Sequence, residues 1–190
     1  LMLGDNTAAK LGRLSFNPIR HLDIMGVLFF YFVGFGWAKP VPVDWRNFKN
    51  PRRDMMYVAI AGPLANIAMA VGCSFFIRLI PIDFSSLIAV LSSSSPYTPE
   101  LIHYLFVILA YGIWINVALA IFNMLPMYPL DGSSVLKGMV PDYVAEKLTG
   151  LDKFGAFLIL GAFLLDQFAG TRIIGTILMY PINYSVSFLS

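Results

Sequence analysis

Residues 55–80 read MMYVAIAGPLANIAMAVGCSFFIRLI, and this stretch decides the class of fold. A helix needs about 20 apolar residues to cross the hydrocarbon layer of a bilayer, and the run supplies them. In its middle stands Ala61-Gly62-Pro63-Leu64-Ala65-Asn66. Gly-Pro opens the backbone hydrogen-bond ladder in mid-span. Asn66 lies one turn after Gly62, so the two share a helical face. An amide in a membrane either glues helices together or serves a site. For Asn66 taken alone, glue is at least as good a reading as function. The small residues Ala61, Ala65, Ala68 and Gly72 predict close packing around it.

Outward from this span the whole composition agrees. Of the 190 residues, 58% are hydrophobic and 13% charged, and the mean hydropathy is +0.73. That charge content is about half the usual share for a soluble domain, too little to cover a soluble surface. The single cysteine, Cys73, excludes an internal disulfide and a multi-cysteine metal site. The length suits one bundle of roughly four to six membrane segments, so 1–190 reads as a single membrane-embedded unit. Residues 101–125 return as a second span. Residues 154–168 are a short third, interrupted by Gly155 and Gly161. Residues 172–190 are a candidate fourth, broken by Pro181 and Asn183. The loop 126–153 carries an expected short amphipathic helix at 140–149.

Charge sets the sidedness. Eight of the 13 Lys and Arg residues precede Asp54, five of them in the loop 39–54, whereas 81–99 has neither Lys nor Arg. Basic loops mark the cytoplasmic side, so 39–54 and 126–153 are expected there and 81–99 opposite. These cations flank membrane segments without the aromatic interleaving of a nucleic-acid module, so no nucleic-acid partner is expected. The segment 24–38 (IMGVLFFYFVGFGWA) is apolar but short, with basic residues on both flanks. Its Gly34, Gly36 and aromatics suit extended structure. We expect a membrane re-entrant β-hairpin over 24–43 on the cytoplasmic side, tolerable where buried in protein or lining a wet cavity; a short tilted helix is the alternative. The predicted fold class is thus an all-α polytopic membrane protein, a transmembrane helix bundle with that hairpin added.

The segment Asn123-Met124-Leu125-Pro126-Met127-Tyr128-Pro129-Leu130-Asp131-Gly132 closes the second strong span. A carboxylate at membrane depth is costly and usually has a cation or metal as partner. Pro126 and Pro129 bend the chain. Taken alone, the segment is better read as a proline-rich turn with Asp-Gly at its tip. Asn116 and Asn123 share a face of their helix, either lining a site or packing. His21 and His103 lack the i, i+4 spacing of a helical metal pair. His21 reads as a structural hydrogen-bonder and His103 as interfacial.

In their order along the chain, the motifs resemble the site-2 protease family of intramembrane zinc metalloproteases, in its compact prokaryotic branch. The resemblance runs through Leu3-Gly4-Asp5, Gly12-Arg13-Leu14, Asn17-Pro18, Gly36-Trp37-Ala38-Lys39-Pro40-Val41-Pro42-Val43 and Asn50-Pro51-Arg52-Arg53. It closes with the Gly62-Pro63 and Asp131-Gly132 segments, covering roughly residues 3–140. It implies one zinc ion, with Asp131 as a ligand beside two His of an HExxH helix whose Glu is the general base. Such zinc keeps a position for water and lowers its pKa to about 7. Asn66 is implied as a contact to substrate or oxyanion, and the hairpin as a strand added to an unwound substrate. The implied substrate is a transmembrane protein cut in regulated intramembrane proteolysis, and the implied location is a prokaryotic plasma membrane, among its lipids. No HExxH occurs in these 190 residues, and the chain opens on Leu1 rather than Met. The expectation is therefore truncation just after that motif, with the two His and the Glu upstream and the printed chain inactive. The competing readings are a non-catalytic scaffold or pseudoprotease on the same fold, and a small transporter with Asn66, Asn116, Asn123 and Asp131 as its polar path.

Overall fold

The computed structural model describes residues 3–15, 17–33, 36–80 and 101–171. In order these form α1 (Thr7–Lys10), α2 (Ile24–Val33), α3 (Pro51–Leu79), α4 (Leu101–Asn123), α5 (Asp131–Met139) and α6 (Asp142–Ala169), with 3-10 turns at Pro18–His21 and Trp45–Asn47. The expected outer loop at 81–99 and the candidate span at 172–190 lie outside the described residues.

Among the described residues, three helices are long and apolar enough to cross a membrane: Pro51–Arg78, Leu101–Asn123 and Asp142–Asp166. Asn50-Pro51 starts α3 in the usual way, proline occupying the first helical position where its missing N–H costs nothing. The Asp54 carboxylate reaches back to accept the Asn50 N–H at 3.0 Å. Pro63 sits buried inside the same helix without ending it. It leaves the Ala59 carbonyl without the N–H that would normally reach it. α4 lies along α3, with Ala70, Ile113 and Val117 as the buried contact and Cys73, Ile77, Trp114, Ala118 and Ile121 around it. Large apolar side chains elsewhere face outward, Phe157 and Phe30 at 74% and 64% exposure among them. Such a surface suits lipid, not water.

The sequence expectation is corrected at two places. Among the described residues of 24–43 there is no β-hairpin. Ile24–Val33 is the helix α2, followed by an extended return whose one pairing is an isolated antiparallel bridge, Leu22 to Ala38. The reason is local. Asp23 caps the helix, its Oδ1 accepting the Gly26 N–H at 3.0 Å and its carbonyl the Val27 N–H at 2.9 Å. The aromatics offered as strand formers have no neighbouring strand to pack on, and β-propensity counts for little without one. Ten residues make about 15 Å of helix, half the hydrocarbon thickness. In the second place, the short helix expected at 140–149 and the span expected at 154–168 are one continuous α6, from Asp142 behind Pro141 to a stop at Gly170.

The two ends of the α2 excursion are stitched together by polar bonds. The Lys39 N–H donates to the His21 carbonyl at 2.8 Å, and the buried Arg13 guanidinium donates to the Lys39 carbonyl at 2.6 Å. The Asp5 carboxylate accepts from the Thr7 N–H and hydroxyl at 3.0 and 2.5 Å, from the Asn47 amide at 2.8 Å and from the Asp44 N–H at 3.0 Å. The Thr7 hydroxyl first, then the Asn47 amide, holds the Asp5 carboxyl well below the usual carboxylate range. Residues 3–15, 17–23 and 36–48 therefore form one polar platform, which meets α3 at the Trp45–Asn47 turn.

Candidate active site

The chain leaves α4 at Asn123 and bends through 124–130, with Met127 N–H to the Leu125 carbonyl at 2.7 Å and Leu130 N–H to the Met127 carbonyl at 2.9 Å. It then re-enters a helix at Asp131, the first residue of α5. Gly132 makes this turn possible. A Cβ at that position would stand 2.3 Å from the Met124 carbonyl oxygen and 2.4 Å from that of Leu125, so no side chain fits. The cytoplasmic loop expected at 126–153 thus contains, at Asp131–Met139, a short helix that sequence reasoning missed. The Asp-Gly pair was its signal, read as the tip of a turn.

α5 packs on α3 and runs antiparallel to it. At its start, Asp131 Oδ2 lies 3.2 Å from where a Cβ of Gly62 would be; at its end, Gly138 meets the Met56 side chain. Gly62 is eleven residues past Pro51, about 17 Å along the helix at 1.5 Å per residue. The Pro-bent segment therefore carries the carboxylate back to mid-depth of the first long apolar helix. Asn66, half-buried, is one turn further on the face that bears Gly62. A carboxylate at that depth is costly unless a cation or a metal pairs with it.

The other candidates are placed elsewhere. Asn116 spends its amide on its own helix, donating to the Gly112 carbonyl at 2.8 Å. Asn123 is the last residue of α4. His21 Nε2 is 2.7 Å from the Ser15 carbonyl and must donate to it, as a structural hydrogen-bonder does. His103 lies in the first turn of α4 with its Nδ1 buried and unpaired among the described residues. Among the described residues no three His, Cys, Asp or Glu side chains gather where they could hold one metal ion. The donor chemistry at Asp131 fits one ligand of a divalent metal and no more. A cavity of about 460 Å³ opens on the other face of α5, toward α6. Its charged members, Lys137 and Asp152, are paired with each other, so it offers no free acid or base.

The fold thus brings a carboxylate back onto the Gly62 face of a long apolar helix. The chain belongs to Peptidase family M50, the site-2 protease family, whose model matches residues 36–165. Among curated proteins it is similar to the "Putative zinc metalloprotease YwhC" of Bacillus subtilis (strain 168), 38% identical over 161 residues, covering 83% of this chain and 68% of the relative. No solved structure matches it.

Proposed function

We propose that the protein is a zinc-dependent intramembrane endopeptidase that cleaves membrane-spanning substrates, with Asp131 as a zinc ligand and Asn66 as a contact to substrate or to the developing oxyanion. The observation that carries this reading is the Asp131 carboxylate seated on Gly62, one turn from Asn66 and mid-way along an apolar helix. A Pro-rich surface turn would have no reason to hold a half-buried carboxylate there. Zinc, when bound, supplies Lewis acidity and an activated water. The residues of this chain do the rest. Asp131 presents a hard oxygen donor at fixed depth, and Asn66 presents an amide on the same face. The remaining ligands, two His, and the general base, a Glu, are those of the family's HExxH helix. These 190 residues contain no such motif and supply one ligand of the three. The substrate is a transmembrane segment presented from within a prokaryotic plasma membrane.

The test uses full-length protein in detergent or nanodiscs, reading zinc content and cleavage of a membrane peptide. Asp131→Asn keeps the shape and removes the charge, so zinc and activity should fall together. Asn66→Ala should keep zinc and slow cleavage. Full zinc and full cleavage in Asp131→Asn would return the segment to the reading of a plain turn.

A further inference from the structure

The motif Asn50-Pro51-Arg52-Arg53 has no part in the chemistry above, yet it contains the side chain that joins three helices. Arg52, in the first turn of α3, donates through Nε to the Lys137 carbonyl at 2.6 Å. That carbonyl belongs to the last turn of α5, one of the groups a helix leaves without an internal partner. Through Nη1 the same guanidinium pairs with Asp142, the first residue of α6. One planar fork therefore caps the negative end of α5 and holds an acid at the positive start of α6, both favourable to the helix dipoles. On the far side of the corner, Lys137 pairs with Asp152, bracing α5 against α6.

We propose that Arg52 is a positioning residue for the metal site: by pinning the C-terminal end of α5 to α3, it sets the register in which Asp131 meets Gly62. The inference rests on the assignment of Asp131 as a zinc ligand. α5 is nine residues long, about 13 Å of stiff rod. Asp131 is at one end and the Arg52 staple at the other. Gly138, beside the staple, already lies so close to Met56 that an added Cβ would be 2.6 Å from the Met56 Cβ. With the end released, α5 can slide or roll on α3. A ligand must hold its place within about 0.2 Å to serve a metal, so small movements register at Asp131. The surface pairing to Asp142 contributes little by itself, because that carboxylate is 90% exposed. The carbonyl bond is the part that fixes the rod. Arg53 is the natural control. It loses the same charge on mutation, but its contacts stay within α3, with Nε 2.9 Å from the Tyr57 hydroxyl and its guanidinium over that ring.

Two readouts on full-length protein test this. The first is zinc affinity by chelator competition, with thermal unfolding measured alongside. The second is hydrogen exchange of the α5 amides in the metal-free protein, which reports whether the end of α5 stays docked on α3. Arg52→Ala should weaken zinc about tenfold, the lower end of the loss seen when supports of a metal ligand are removed, and should speed exchange in α5. Arg53→Ala should change neither. Arg52→Lys keeps the charge but not the planar fork, so it should fall between wild type and Arg52→Ala, and it serves if the alanine variant does not fold. Wild-type zinc affinity and wild-type exchange in either Arg52 variant, with Asp131→Asn losing zinc, overturns the positioning role alone. If Asp131→Asn retains zinc, it is the ligand assignment that fails, and the exchange of α5 still decides whether Arg52 holds it in register.

Discussion

Gly62→Ala separates the needs of the helix from those of the site, because it should move them in opposite directions. Within α3 the change is favourable, since glycine in a helix interior costs roughly 0.5–1 kcal/mol relative to alanine. At the site it is not. The new methyl would stand 3.2 Å from Asp131 Oδ2, whereas ordinary contacts of this kind begin near 3.4 Å. The carboxylate must therefore retreat by at least about 0.2 Å, the whole tolerance of a metal–ligand distance. Zinc affinity should fall by about tenfold, or about 1.4 kcal/mol, while the unfolding temperature of the metal-free protein stays level or rises. The assay is chelator competition on full-length protein, paired with thermal melts of the stripped form. Gly62→Val, with a bulkier side chain on the same vector, should lose more affinity. Unchanged zinc affinity in both variants refutes the reasoning, as does a loss that merely tracks a loss of fold.

Gly132→Ala should behave differently. Its methyl meets backbone carbonyls at 2.3 and 2.4 Å, which cannot swing aside, so an overpacking cost of about 1–3 kcal/mol should lower the melting temperature and zinc affinity together. Acid should loosen the platform. The Asp5 carboxyl is held below its unfolded value near 3.9, so it stabilises the fold above that pH and the contribution is lost as pH falls toward the folded value. Fluorescence of Trp45, beside its partners, should report a step below about pH 4 that Asp5→Asn lacks; superimposable titrations would contradict this. Finally, cysteines placed at 46–50 and at 92–95 should be labelled from opposite faces of the membrane, as the distribution of Lys and Arg requires. Labelling of 46–50 from outside would reverse the orientation.

The long helices were legible because nothing competes with their signal. The run at 55–80 became Pro51–Leu79, and 101–125 became Leu101–Asn123. The bend at Pro126 and Pro129 also pointed correctly to a chain that turns back. α5 was missed because its nine residues begin Asp-Gly-Ser-Ser, poor helix formers whose helicity comes from packing on α3 rather than from propensity. α6 was cut short because Glu146, Lys147, Asp152 and Lys153 crowd its first half and hide its continuity with an apolar second half. The α2 helix was mistaken for strands although Asp23 was present as a capping signal; aromatic content outweighed it. At the site, Asp131 and Asn66 were singled out only through the resemblance, since each taken alone reads as a turn or as helix glue. Gly62 and Arg52 stood inside quoted motifs, but what another helix brings to each of them was not legible.

The rod that carries Asp131 is fastened at both ends, by Gly132 under the Met124 and Leu125 carbonyls and by Arg52 on the Lys137 carbonyl. Such an element counts residues. Inserting or deleting one position between 133 and 137 would turn one end against the other by about 100° and displace it by about 1.5 Å. No exchange of a single side chain on its exposed face would do as much. The segment should therefore tolerate variation in composition far better than variation in length, and related chains built this way should differ in the letters of this helix while keeping its spacing.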